Sequence, residues 1–176
     1  MRINRALLVT LGVAVVIFIL SRTPKGQEVV STATDSIASG IIGLRLNNPL
    51  NIERGDSWEG LAPEQLNDRF ATFVSMPYGV RAAAITLHNY QRKYGLRTVR
   101  GIINRWNPIS DGQPESYVPN VSDYMGVDEN ATLNLEDRAT MFALIRGMMK
   151  QEIGSVAALL VSDGDVNTGL DLAGFA

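Results

Sequence analysis

The chain has 176 residues, 45% of them apolar and 19% charged, with 16 basic against 18 acidic side chains and a net charge of −2. That size fits one globular domain plus an appended segment, and the charge balance lacks the basic excess that drives binding to a phosphate backbone, so nucleic acid is set aside as a partner. Cysteine is absent and histidine occurs once, as His88; this removes disulfides, thiolate nucleophiles and the usual His/Cys ligand sets of zinc, so no metal and no cofactor is expected.

The N-terminus reads MRINRALLVTLGVAVVIFILSRTPK, with a charge-free run from Ala6 to Leu20 flanked by Arg2 and Arg5 before it and by Arg22 and Lys25 after it. The run predicts a membrane anchor over 1–22, short for a spanning helix but extended by snorkelling of Arg5 and Arg22. A cleaved signal peptide is the competing reading, yet no small-x-small site follows the run closely; Ser31 and Ala33 lie too far beyond it. The flanking charges favour an inside N-terminus and an exported C-terminal domain. Residues 23–40, rich in Thr, Ser and Gly, predict a linker, 41–161 the folded domain and 162–176 a flexible, Gly- and Asp-rich tail.

The domain opens with RLNNPLNIERGDSWEG, Arg45 to Gly60, where asparagines, a proline, carboxylates and a tryptophan share one turn-rich segment. Phe70 to Val74 predicts at most a short strand or turn. Val80 to Tyr94 predicts a helix, with Val80, Ala84, Leu87 and Gln91 on one stripe and Gly79 and Gly95 as start and stop. Thr98 caps a short helix VRGIINRW that Pro108 ends by disfavouring helical geometry in Asn107. A loop with Asp111, Gly112 and Pro114 precedes SYVPNVSDYMGV, where Pro119 suits a first turn and Tyr117, Val121 and Tyr124 lie about one turn apart. The last strong helix starts from Asn134 as N-cap and runs to Gly154, burying Phe142, Ile145, Met149 and Ile153, with the methionines as core filling. The fold class is therefore mainly α with at most a small β element.

The pattern GLR-x-NNPLNIE, WEG, RFATF, YGVRAAA, LRTV with IINRWNP, YVPNVSDYMGV and QEIG resembles a phage-associated lysozyme-like family, over about Gly43 to Gly154. Members of that family are virion structural proteins or muralytic enzymes. The resemblance implies a lysozyme-like helical domain that meets peptidoglycan, attached to a virion and in contact with other virion proteins; with the expected anchor it implies a single-pass protein in a phage virion membrane or a bacterial inner membrane, its C-terminal domain facing the periplasm. The chain departs from the family pattern after Trp106, where NPISDGQPES replaces the usual APP and Asn-rich segment.

Glycan cleavage needs a carboxylic acid in an apolar surround to protonate the glycosidic oxygen, and a second carboxylate or the substrate itself to manage the cationic centre. Glu53 is the candidate acid, since it follows Ile52 and lies near Trp58 in sequence, and Asp56 is the candidate second carboxylate. The competing reading of Glu53 is a surface charge in a polar loop, and the family often carries Arg there. Glu152 is a further catalytic candidate, because a glutamate at a helix C-terminus opposes the helix dipole and so wants a reason. Asn48 and Asn51 are candidate amide contacts to a sugar, with turn formation as the competing role. Trp58, Tyr78 and Tyr117 are candidate walls of a sugar groove, with core packing as the alternative. Nothing supports a Ser-His-Asp hydrolase built on His88. Two classes remain: a peptidoglycan-degrading enzyme that cuts glycan, or the peptide cross-link, and a non-catalytic structural or peptidoglycan-binding protein on the same scaffold.

Overall fold

The computed structural model describes Pro24, Gln27 and residues 41–175. Contacts divide the chain into two units, Met1–Ile41 and Ile42–Ala176, and the account below concerns the second. The expected anchor over 1–22 lies outside the described residues, as does the linker apart from Pro24 and Gln27. Among the described residues no helix is long and apolar enough to cross a membrane. The membrane location expected from the sequence is corrected on that finding.

The domain is mainly helical: α1 (Ile42–Arg45), α2 (Met76–Tyr94), α3 (Val99–Trp106), a 3₁₀ turn (Ile109–Asp111), α4 (Tyr117–Met125), α5 (Arg138–Glu152), α6 (Ser155–Ala158) and α7 (Asp163–Leu172). The β element reduces, among the described residues, to two isolated antiparallel bridges, Glu53 with Phe70 and Leu61 with Phe73.

Helix α2 begins a turn earlier than the glycine signal at Gly79 suggests. Ser75 is its N-cap and Pro77 sits in its first turn, where a missing N–H costs nothing. Gly79 lies inside the helix for a steric reason: a Cβ there would stand 2.0 Å from the Asn47 carbonyl oxygen. The stop is as expected. Gly95 adopts φ 66° and returns its N–H to the Gln91 carbonyl. The stripe Val80, Ala84, Leu87 and Gln91 is buried, and the Gln91 side-chain oxygen accepts from the Leu135 amide at 2.8 Å. Helix α3 has the expected cap, with Thr98 Oγ1 accepting from the Gly101 amide.

Helix α5 starts four residues beyond Asn134. Asp137 is its N-cap, accepting from the Thr140 amide, and Asn134 instead forms a local turn with the Glu136 amide. Met141, Leu144, Ile145, Met148 and Met149 of α5 are fully buried at the centre of the domain with Leu46, Leu50, Phe73, Leu87, Ile102 and Ile103. The methionines therefore fill core space, as thioethers with three rotatable bonds do well; Phe142 is only half-buried.

The flexible tail expected over 162–176 is also corrected. Ser162 and Asp165 form a capping box for α7, whose Val166, Gly169 and Leu170 are buried. Helix α7 makes its most extensive packing against α2, at a distance set by Gly169, where a Cβ would meet the Val80 side chain at 2.6 Å and the Pro77 carbonyl at 2.8 Å. Two arginines of α5 hold the C-terminal part in place: Arg138 pairs with Asp171 and bonds to the Asn167 and Phe175 carbonyls, and Arg146 pairs with Asp163 and bonds to the Ala158 and Val161 carbonyls. The Gly/Asp composition reads as a loop because the signal for order lies in cap chemistry and in partners distant in sequence.

Candidate functional site around Glu152

The Asn-rich segment after α1 folds on itself. Asn48 is fully buried; its side-chain nitrogen donates to the Ile52 and Ala71 carbonyls at 2.9 and 2.8 Å, and its oxygen accepts from the Ile52 amide at 2.8 Å. Its amide is thereby committed to shaping the turn and is not open to a sugar. Asn47 and Asn51 both take φ 52°, a left-handed conformation that asparagine tolerates better than most residues. Asn47 then donates to the Phe73 carbonyl.

This turn aims Asn51 at the C-terminal end of α5. Asn51 Nδ2 donates to Glu152 Oε2 at 3.0 Å. On the other carboxylate oxygen, Trp106 Nε1 donates at 3.1 Å from the end of α3, and the Tyr117 hydroxyl donates at 2.6 Å from the start of α4. One half-buried carboxylate thus gathers a loop and three helices. This is the reason wanted for a glutamate at a helix C-terminus: its side chain is held by three donors from elsewhere in the fold, which offset the unfavourable dipole. Burial, and then the charge of Glu152 and the hydrogen bond to it, push the Tyr117 phenol well above the ordinary tyrosine range.

Glu152 opens onto a groove of about 530 Å³, within the span of sites that hold small ligands. Its aromatic surfaces are Trp58, Phe70, Tyr90 and Trp106. Tyr90 packs edge-on to Trp106 at 6.3 Å between ring centroids, and its own phenol is raised, chiefly by burial and against the opposing effect of Arg105. Two buried polar atoms of groove residues, Trp58 Nε1 and Asn51 Oδ1, have no hydrogen-bond partner among the described residues.

Glu53 and Asp56 are also groove residues, but the surroundings of Glu53 differ from those expected of it. Its side chain is 62% exposed and pairs with Arg69 at 2.8 Å, so Trp58 does not enclose it. The enclosed carboxylate is Glu152. Tyr78 is not a groove residue: its ring packs against Gly60, where a Cβ would fall 2.1 Å from its Cγ. Tyr117 is buried and orients Glu152 from behind instead of flanking a ligand.

The chain is 40% identical over 117 residues to Protein P5 of Pseudoalteromonas phage PM2, a match covering 64% of this chain and 71% of that protein. The chain belongs to the Protein P5 family. No family model matches the sequence. For this member of the P5 family, sequence reasoning named Asn51, Glu152 and Tyr117 individually but missed their convergence, and gave Tyr90 and Trp106 no role in the site. Trp106 stood only as the last residue of the short helix VRGIINRW. The available signal was its indole N–H, a donor that seeks a partner once the ring is buried.

Proposed function

We propose that this P5-family protein is a phage protein that acts on peptidoglycan, binding glycan in the groove around Glu152 and cleaving it during wall penetration or release. The observation that carries the reading is the enclosure of Glu152 between Asn51, Trp106 and Tyr117 at the edge of an aromatic-lined groove. Aromatic faces suit the apolar faces of sugar rings. A carboxyl held at fixed geometry can deliver a proton to a glycosidic oxygen, a contribution of about 10²- to 10⁴-fold. Tyr117 serves both protonation states, because a phenol hydroxyl donates to a carboxylate and accepts from a carboxylic acid. Glu53 and Asp56, which also line the groove, would in a two-carboxylate route act on water or on the cationic centre, and a single-acid transglycosylase route that uses only Glu152 fits equally. The helical, lysozyme-like character inferred from the sequence motifs supports the same reading.

A second reading has an observation of its own. Both oxygens of Glu152 already accept hydrogen bonds, and in a non-catalytic binding or structural protein they would serve only to pin the loop to α3, α4 and α5. Digestion of purified peptidoglycan by the full chain, with products identified by mass spectrometry, separates the two. Cleavage predicts soluble fragments whose ends name the bond: reducing sugars for hydrolysis, anhydro ends for transglycosylation, free peptide termini for cross-link cleavage. Co-sedimentation with the wall and no released fragment would establish the binding reading.

A further inference from the structure

The aromatic lining of the groove continues past its edge. Tyr90, which lines the groove with Trp106, meets Tyr94 edge-on, one turn further along α2, at 6.3 Å between ring centroids, and Tyr94 is 53% exposed. Arg105, exposed at the end of α3 beside Trp106, lays its guanidinium over this pair: Cζ stands 3.6 Å from the Tyr94 ring centroid and 5.1 Å from that of Tyr90. At 3.6 Å, ordinary van der Waals contact, a planar group fits only by lying flat on the ring. Its N–H bonds lie in that plane, so they run along the ring and past its edge. Among the described residues none of them meets an acceptor and no carboxylate pairs with Arg105, whereas Arg69, Arg81, Arg100, Arg138 and Arg146 each have a carboxylate partner. The stack therefore fixes the guanidinium by its face and leaves its donating edge unspent, an arrangement suited to receiving a carboxylate in two bonds. Its charge reaches the groove wall, since it opposes the burial that raises the Tyr90 phenol.

We propose that Arg105, stacked on Tyr94 and Tyr90, is an anion subsite at the end of the groove and binds a carboxylate carried by a muramyl sugar when the glycan lies along Trp106 and Tyr90. The carboxylate is the sugar's own lactyl group on a bare strand, or belongs to the stem peptide where one is attached; both present the same two oxygens to the guanidinium. An uncharged glycan gains nothing from the subsite. The inference rests on the glycan reading given above and adds to it the recognition of charge.

The test is calorimetric binding to the full chain in an E152Q background, so that no probe is turned over. Three tetrasaccharides of alternating N-acetylglucosamine and N-acetylmuramic acid are compared: one with free lactyl carboxylates, one with those groups as primary amides, and one carrying stem peptides. The expected result is about tenfold tighter binding of a charged probe than of the amide, the scale of one charge-assisted contact; the probe that shows it names the source of the carboxylate. Adding R105Q should bring the charged probes down to the amide, whatever it does to all three in common through Tyr90, and R105K, which keeps the charge, should keep part of the preference. No preference before R105Q is added, or a preference that survives it, would overturn the subsite and leave the glycan groove standing. Failure of all three probes to bind removes the glycan reading itself, and this inference with it. Arg105 is exposed and meets its neighbours by its face alone, so R105Q is expected to fold, which a thermal melt checks.

Discussion

The hydroxyl of Tyr117 is the shortest of the three contacts to Glu152, and it is buried with a carboxylate as partner. Y117F removes it without changing ring volume, and leaves one acceptor site on Glu152 unfilled. A loss of about 1–3 kcal/mol in denaturant unfolding is expected. The pH dependence follows from the raised phenol. The unfolded chain releases the Tyr117 proton near the ordinary value of 10.0, whereas the folded chain keeps it. Its stabilising contribution is thus fully present below that pH and lost as pH rises above it, by about 1.4 kcal/mol per pH unit. Y117F should show a shallower alkaline fall than the parent, though not a flat one, because Tyr90 is raised as well. At this scale the sequence was informative about residue types and poor about pairing. Glu53 and Glu152 look alike on paper; Arg69 beside one, and Trp106 and Tyr117 beside the other, come from 16, 46 and 35 positions away.

At the scale of elements, two glycines set how closely backbones approach. Gly79 brings α2 against the Asn47 carbonyl, in the same turn that presents Asn51 to Glu152. In G79A the new methyl meets backbone, which cannot rotate away, so either α2 or the Asn turn must shift. A destabilisation of about 1–3 kcal/mol is expected in thermal or denaturant melts, with a loss of groove function larger than the stability change alone explains. Gly169→Ala perturbs α7 against Pro77 and Val80 of α2 without touching the Asn turn directly, and should cost comparable stability with a smaller loss of groove function than G79A at temperatures where both stay folded. The helices themselves were largely legible. The stripe on α2, the Thr98 cap and the Gly95 stop are local signals, written within a few residues. The starts of α2 and α5 were not, because Gly79 and Asn134 imitate boundary residues while serving a close approach and a local turn.

Over the whole domain, the C-terminal segment completes the core. Val166, Leu170 and Phe175 are buried, and burying three such side chains is worth about 5–9 kcal/mol, comparable with the entire stability of a typical domain, about 5–15 kcal/mol. A chain ending at Ser162 should therefore lose its cooperative melt, or melt far below the parent; an unchanged melting temperature would mean that α7 is dispensable. The same domain holds the Asn turn, α3, α4 and α5 around one carboxylate, and the functional account turns on which carboxylate does the work. The direct measurement is fragment release from purified peptidoglycan by the parent, E152Q and E53Q side by side. E152Q is structurally tolerable: the Gln oxygen can still accept from Trp106 and Tyr117, and Asn51 can rotate its amide so that the unpartnered Oδ1 faces the new NH₂. The account predicts release by the parent, a loss of about a hundredfold or more in E152Q, and only a few-fold change in E53Q. Full activity in E152Q with loss in E53Q would contradict it.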